Sequence, residues 1–442
     1  MKIQFKEHKT RHVLVILLLT AGMLSGQSYF RGMTLSGQDV YDGRSGGMGL
    51  SRTALDQGAW SLTGNPANLN SINGLNASGS LILDQVTEER SIEAIDQFND
   101  VVAKNIYAAN THSFRKFSAA ASYGLGQFAI GLAHVPVKDY AYQYSEEIRN
   151  SLSSSYYNRD PLAGYHTIEM NGQIMATHMG GSAAFGPIAL GASLITYAGD
   201  DMSIEKSVSV LSSDDALASD TSYTDRSLHS LSEAGIGFIL GASYELNQHL
   251  SVHYAFDLAG DLTINSTGAI PFADSTKRYP EYLSLDSSAA FTIETPAVHR
   301  FGVAFSPGQK NKTLAVFEIE FHKGQTISYS REIQGLESFD YEFLDTKIIH
   351  VGLEHWASPT LPIRMGYSYE ESPLDKSLST TRFTAGGSIL YGPFQIDLSG
   401  QLASLGYVYP DIFPAIGSSA EALESVNESM LKLYATVSYK MP

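Results

Sequence analysis

From about residue 75 to the end, tight joins and long joins alternate strictly along this chain. Stretches of alternating apolar and polar residues come in pairs. Within a pair the join is tight, as at Tyr123–Gln127, Phe185–Ile188, Glu245–His249, Ser306–Lys312, Ala357–Leu361 and Tyr391–Phe394. Between pairs it is mostly long and polar, as at Val86–Ser113, Lys138–Gly164, Asp200–Ser227, Asn265–Ser287 and Gly406–Ser425. A soluble sandwich has no reason to keep its long connections at one end. A transmembrane β-barrel does, because its periplasmic turns are short and its outer loops long.

The period-two pattern supports the same architecture. In Leu250–Asn265, Leu250, Val252, Tyr254, Phe256 and Leu258 share one face, and Ser251, His253 and Asp257 share the other. Phe394, Ile396 and Leu398 likewise oppose Gln395, Asp397 and Ser399. The pattern predicts strands at 75–85, 114–124, 127–137, 165–185, 188–200, 228–245, 249–265, 288–306, 312–328, 343–357, 361–372, 378–391, 393–406 and 426–441. That makes an all-β, antiparallel barrel of about fourteen strands, an even number as such barrels require. Several strands exceed the roughly 9–11 residues that cross a membrane, so the barrel should project beyond the outer leaflet. The first long connection, Glu88–Ala109, carries Ile92, Ile95, Phe98, Val101 and Val102 at loosely helical spacing, which predicts a surface helix.

The N-terminus fits export. Lys2, Lys6, Lys9 and Arg11 precede an apolar run, Val13–Leu19, and small residues follow to Gly26. Residues 1–26 therefore read as a signal peptide, too short in its apolar part to span a bilayer. No later segment reaches 18 continuous apolar residues. The absence of cysteine leaves no lipoprotein anchor and no disulfide. The formal charge is −17, and removing four basic residues and Glu7 with the leader takes it to −20. So acidic a chain is not a nucleic-acid binder. Gly43-Arg-Ser-Gly-Gly47 matches a nucleophile-elbow pattern formally but lacks the preceding strand. No metal-ligand spacing or phosphate loop occurs, so neither enzyme activity nor a cofactor nor a metal is expected.

Fourteen strands enclose more space than wall side chains can fill. Gln27–Gly74 has no strand alternation but many glycines, together with Met48, Leu50, Leu55, Trp60 and Leu62, apolar residues for which a disordered tail has no use. This predicts a plug at 27–74 inside a barrel at 75–442. Gly43-Arg-Ser-Gly-Gly-Met-Gly-Leu-Ser-Arg-Thr-Ala-Leu-Asp, followed by Gly64-Asn-Pro-Ala-Asn-Leu69, resembles the plug of the FadL/TodX family. Gly47, Met48, Gly49, Asn65, Pro66 and Ala67 stand at the matching positions. Thr295–Phe305 and Leu361–Leu374 are also similar to that family. The resemblance implies an outer-membrane transporter of long-chain fatty acids or other hydrophobic small molecules, by passive diffusion with lateral exit. Its partners would be the ligand, outer-membrane lipid and the barrel assembly machinery. The secretion barrel PorV and its relatives share the plug pattern, so a role in protein secretion or surface assembly is the alternative. Two features depart from the family: the chain ends Tyr439-Lys-Met-Pro442 rather than on an aromatic residue, and Asp56–Trp60 lacks the usual acidic pair.

A greasy acid needs an apolar channel with a cation near one end. Arg300, Arg364 and Arg382 face inward on the predicted strands and are the candidate ligand-binding residues. The competing role is neutralising Glu318, Glu320, Glu354, Asp257 and Asp397. Pro136 lacks a ladder donor and lies near the end of the third strand. It marks either that end or, by the resemblance, a kink that opens the wall sideways.

Overall fold

The structure is a computed structural model that describes residues 40–98, 100–149, 162–199, 201–211, 222–272, 281–285, 287–308, 312–329, 340–413 and 423–441. The expected leader, 1–26, and residues 27–39 of the expected plug lie outside the described residues. Fourteen antiparallel strands close into one barrel. They are β1 (Gly74–Ile95), β2 (Val101–Leu125), β3 (Phe128–Asp139), β4 (Gln173–Phe185), β5 (Ile188–Gly199), β6 (Gly237–Asn247) and β7 (Leu250–Leu258). The ring continues with β8 (Val298–Phe305), β9 (Thr313–His322), β10 (Thr346–Ser358), β11 (Leu361–Glu370), β12 (Thr380–Tyr391), β13 (Phe394–Pro410) and β14 (Leu423–Lys440). Pairing of β1 with β14, from Asn76↔Lys440 to Ser91↔Ser425, closes it.

The two faces divide as the alternation requires. Phe117, Phe128, Leu190, Phe301, Phe317, Met365, Phe383 and Leu398 point outward and are exposed. Ser80, Lys116, His178, Arg300, Glu318, Glu354, Arg364 and Asp397 point inward and are buried. A soluble barrel would reverse this; apolar-out and polar-in is the requirement of a lipid-facing wall. The tight turns hold Gly126, Gly186 and Gly392 at φ of 70°, 65° and 58°, the left-handed backbone that two-residue hairpins demand.

The outer end differs from expectation. Glu88–Ala109 forms no helix: β1 and β2 stay paired through Arg90↔Ala108 to Ile95↔Val101. The turn is set by Asp96, whose side chain accepts from the Phe98 and Asp100 amides at 2.8 and 3.0 Å. Such an Asx turn reverses the chain and lets a ladder satisfy the backbone that a helix would otherwise have served. The expected strands 165–185, 228–245, 249–265, 288–306 and 312–328 are each interrupted, at 172, 235–236, 259–261, 295–297 and 323–325. Beyond the interruptions they join a second, eight-stranded sheet, ordered Tyr341–Glu342, Thr326–Tyr329, Ala289–Glu294, Leu262–Thr267, Tyr223–Ala234, Met202–Val210, Leu162–Asn171 and Tyr142–Arg149. This sheet has its own core of Met202, Leu262, Ile264, Phe291, Ile293, Ile327 and Phe343. Backbones crowd where the wall divides: a Cβ on Gly260 would sit 2.2 Å from the Gly235 carbonyl oxygen. Alternation runs through the interruptions, so period-two reading joins what the backbone separates.

At the β2–β3 seam the pairing stops while both strands run on. β2 and β3 pair only from Leu125↔Phe128 to Ala119↔His134. From Val135 onward β3 pairs with β4 alone, with a bulge between Pro136 and Lys138.

Candidate functional site

The plug occupies the lumen. Its first element is helix α1 (Gly43–Gly47), capped by Asp42, whose carboxylate accepts from the Arg44 and Ser45 amides at 3.0 and 2.9 Å. Burial pushes the Asp42 carboxyl up, against the opposing pull of its Ser45 hydrogen bonds. Next come two 3₁₀ turns, Gly58–Thr63 and Pro66–Ser71. Asn65 caps the second by accepting from the Ala67 amide at 3.1 Å, and Pro66 stands at its first position, where no amide is needed. Met48, Leu55, Leu62 and Leu69 are fully buried, and Trp60 donates to Ser78 Oγ at 3.0 Å.

Close approach explains the glycines on both partners. Gly49, at φ 66°, lies where a Cβ would meet the Val351 oxygen at 2.3 Å. On the wall, a Cβ at Gly191, Gly241, Gly352 or Gly366 would strike plug atoms at 2.1–2.5 Å. Gly366 lies in the family-like stretch Leu361–Leu374; Gly191, Gly241 and Gly352 were not singled out from sequence. Their signal was present: each is a glycine on an inward-facing position of an alternating strand.

Charged groups bolt plug to wall in two places. Arg44 grips Glu354 with Nε and Nη2 at 3.0 and 2.8 Å. Arg364 joins the same carboxylate at 2.6 Å and reaches Asp397 at 2.7 Å. In the second place, Arg52 grips Glu320 at 3.1 and 3.0 Å. Glu318 accepts three successive plug amides: Arg52 at 3.0 Å, Thr53 at 3.0 Å and Ala54 at 2.8 Å. Arg300 donates to the Gly64 carbonyl at 3.1 Å, pairs with Asp257 and lies 3.6 Å from Glu320. Arg382 pairs with Glu370 on β11. The structure therefore engages the three candidate arginines with wall carboxylates, and Arg300 with the plug as well. The motif residues Gly47, Met48, Gly49, Asn65, Pro66 and Ala67 make the packing and caps just described.

The plug separates two cavities. On the turn side a polar vestibule of about 910 Å³ is lined by Asp56, Asn68, Ser71, His253 and Trp356, among others. Above the plug lies a smaller and more apolar cavity of about 100 Å³, bounded by Tyr41, Val137, Ile195, Tyr197, Val298 and Ile348. Arg300, Arg364 and Arg382 do not line it. His322 does, and its Nε2 is 2.8 Å from Glu320, the carboxylate that holds Arg52. Val137, the bulge residue beside Pro136 on the strand that borders the β2–β3 seam, is among the residues that line this cavity. The Tyr41 carbonyl accepts from Ser118 at the same seam, and Lys116 bridges it from Asp84 (3.0 Å) to Asp139 (3.6 Å). That bridge was absent from the sequence-derived site, because no local spacing connects those three residues.

The fold is of the FadL/TodX type, a closed antiparallel β-barrel with a segment packed inside its lumen. No protein-family model and no curated protein sequence matches the chain. Among solved structures, the toluene transporter TbuX of Ralstonia pickettii is similar with a TM-score of 0.53 at 15% identity, over 92% of this chain and 99% of that one. The toluene transporter TodX of P. putida gives 0.53 at 16%, over 92% and 98%. A FadL homologue of Pseudomonas aeruginosa gives 0.52 at 12%, over 95% and 100%. At these identities the likeness establishes the fold alone.

Proposed function

We propose that this protein is a channel for uptake of compact, uncharged hydrophobic compounds across the outer membrane. The observation that carries the reading is the mainly apolar cavity above the plug, whose lining includes Val137 on the strand that borders the β2–β3 seam. Its volume of about 100 Å³ is of the order of the ~150 Å³ apolar cavity that holds one benzene. A long acyl chain would need the plug or wall to move. A fatty-acid carboxylate would also need a cation: the three candidate guanidiniums lie outside the cavity lining, engaged by carboxylates, and the lining's lysine, Lys323, is exposed and paired with Asp345 beside Glu370 and Glu371. The toluene transporters of like fold agree with a single-ring substrate.

For exit we propose the seam beside Pro136, from the cavity directly into the bilayer. Support comes from the loss of β2–β3 pairing beyond His134 and from the bulge that brings Val137 to the cavity. Ser118 and Val135 are the next positions in register and share the buried inward face. In a chain without cysteine, S118C/V135C would staple the seam. Uptake of labelled toluene by cells carrying this variant should fall under oxidising conditions and recover with reductant. Equal uptake in both states would sink lateral exit. Absence of uptake by the parent protein, with normal surface expression, would sink the transport reading and favour the assembly-barrel alternative.

A further inference from the structure

Most polar side chains around the cavity above the plug are engaged. Thr63 donates to the Trp60 carbonyl at 2.9 Å, and the Tyr197 hydroxyl accepts from the Gly260 amide at 3.1 Å. Lys323 pairs with Asp345, and Glu370 with Arg382. Tyr41 and Gln325 also have partners. His178 Nδ1 and Thr295 Oγ1 have none among the described residues, but both atoms are covered by protein. Two lining groups differ. Thr346 Oγ1 makes no hydrogen bond among the described residues, and His322 uses only Nε2, on Glu320 at 2.8 Å. Neither Thr346 Oγ1 nor His322 Nδ1 is covered, so both reach open space.

Register sets these two groups side by side. His322 on β9 stands directly opposite Thr346 on β10, and Val298 on β8 directly opposite His322. All three line the cavity, while Phe321 and Lys347, the next residues along β9 and β10, are exposed on the outer face. Directly opposed side chains have Cβ atoms about 4.5–5.5 Å apart, so one small group can touch both. Glu320 decides the direction of each hydrogen bond. As a carboxylate held by Arg52 it only accepts, so His322 Nε2 carries the hydrogen between them. In the neutral imidazole Nδ1 then keeps its lone pair. Thr346 offers a donor and His322 an acceptor, a combination that one hydroxyl completes.

We propose that the cavity selects single-ring compounds bearing one hydroxyl, the phenol class. The ring lies against Val298, Ile348 and Ile195, and the hydroxyl accepts from Thr346 and donates to His322. This assignment rests on the uptake reading above and narrows its substrate class. A phenol stays uncharged at neutral pH, as a tyrosine does. A carboxylate at the same place would face the Nδ1 lone pair, with Glu370 and Glu371 also in the lining. A hydrocarbon fills the cavity but leaves donor and acceptor unpaired, and a site built to hydrogen-bond a hydroxyl discriminates against the analogue that lacks it.

Equilibrium dialysis of the detergent-solubilised full chain, with detergent alone as the blank, separates the contributions. The labelled probes are phenol (donor and acceptor), anisole (acceptor alone) and toluene (neither). The parent should bind phenol at least as tightly as toluene, although toluene gains more from leaving water. T346V keeps the shape of the side chain and removes the hydroxyl. It should weaken phenol and anisole by about 2–10-fold and leave toluene unchanged. H322F removes the ring acceptor and should weaken phenol alone by a similar factor, relative to anisole and toluene. Heat-modifiable migration on gels should show both barrels folded. Parent-like phenol binding in T346V, an equal loss of all three probes in both variants, or a parent that prefers toluene would overturn the proposal. In each of those cases toluene bound by the parent leaves the uptake reading standing. A parent that binds none of the three sinks both.

Discussion

Glu318 offers the sharpest test of how the plug is held. Its carboxylate is fully buried on β9 and receives the amides of Arg52, Thr53 and Ala54 at 3.0, 3.0 and 2.8 Å. Three donors converge on two oxygens, an arrangement that only an acceptor can satisfy. Hydrogen bonds to a charged group are worth about 1.5–3 kcal/mol each, and removing the acceptor leaves buried donors unpaired. The three share one carboxylate and are not additive. Taking the low end, Glu318→Ala should weaken plug docking by about 4 kcal/mol. At 1.4 kcal/mol per decade that is nearly a thousandfold in the docked-to-released ratio. Glu318→Gln keeps one carbonyl acceptor but turns an NH₂ toward the plug amides, so it should cost about half as much. The wall itself should stay folded, because its ladder hydrogen bonds do not involve this side chain. Single-channel conductance in planar bilayers is the assay, with heat-modifiable migration as the control for barrel folding. Frequent large openings are expected for E318A, rarer ones for E318Q, and almost none for the parent. If E318A remains as tight as the parent while a plug-deleted barrel conducts, the amide cradle does not anchor the plug. If E318Q leaks more than E318A, the charge argument fails.

Further outcomes follow from the same geometry. Deleting 43–69 should give a steadily conducting barrel, since a ring of this size cannot fill its own lumen; unchanged small-ion conductance would refute it. Arg300→Ala should loosen the plug through Asp257 and Gly64 and lower uptake of neutral and acidic compounds alike; a loss confined to acids would restore Arg300 as a ligand group. Arg90 is wholly buried between Glu88 and Glu424, with its guanidinium 5.1 Å from the Tyr144 ring. Arg90→Ala strands those carboxylates and should cost on the order of 3–5 kcal/mol, read as lost amide-exchange protection at the outer ends of β1 and β14. His229, in the outer sheet, is held down to about 4 by burial, from an ordinary 6.5. A base depressed on folding contributes stability above its unfolded pKa and loses it as pH falls toward the folded value. The outer sheet should therefore weaken between pH 6.5 and about 4, by up to roughly 3 kcal/mol. His229→Asn should flatten that dependence in a protease-susceptibility series, and an unchanged series would refute it.

The sequence by itself determined the barrel, its strand number and which face of each strand meets lipid. Alternation is a local property: Leu398 and Asp397 point oppositely whatever the rest of the chain does. From Gly43 to Leu69, glycines and apolar residues without period two argued against both a strand and a tail; that this stretch packs on the inward faces of the wall is seen only in the structure. The tertiary structure decided what depends on partners distant in the chain. Arg300 and Arg364 were legible as inward cations, but their partners Asp257, Glu354 and Asp397 come from other strands, and Gly64 from the plug. The division of the wall into barrel and outer sheet was hidden, because a chain can leave one sheet for another without losing its period. The end of β2–β3 pairing beside Pro136 was hidden for a related reason. A proline says that one donor is missing, but whether the neighbouring strand stays close is set by register across the ladder. Side-chain direction is written every second residue; closure, register and pairing are properties of the whole ring.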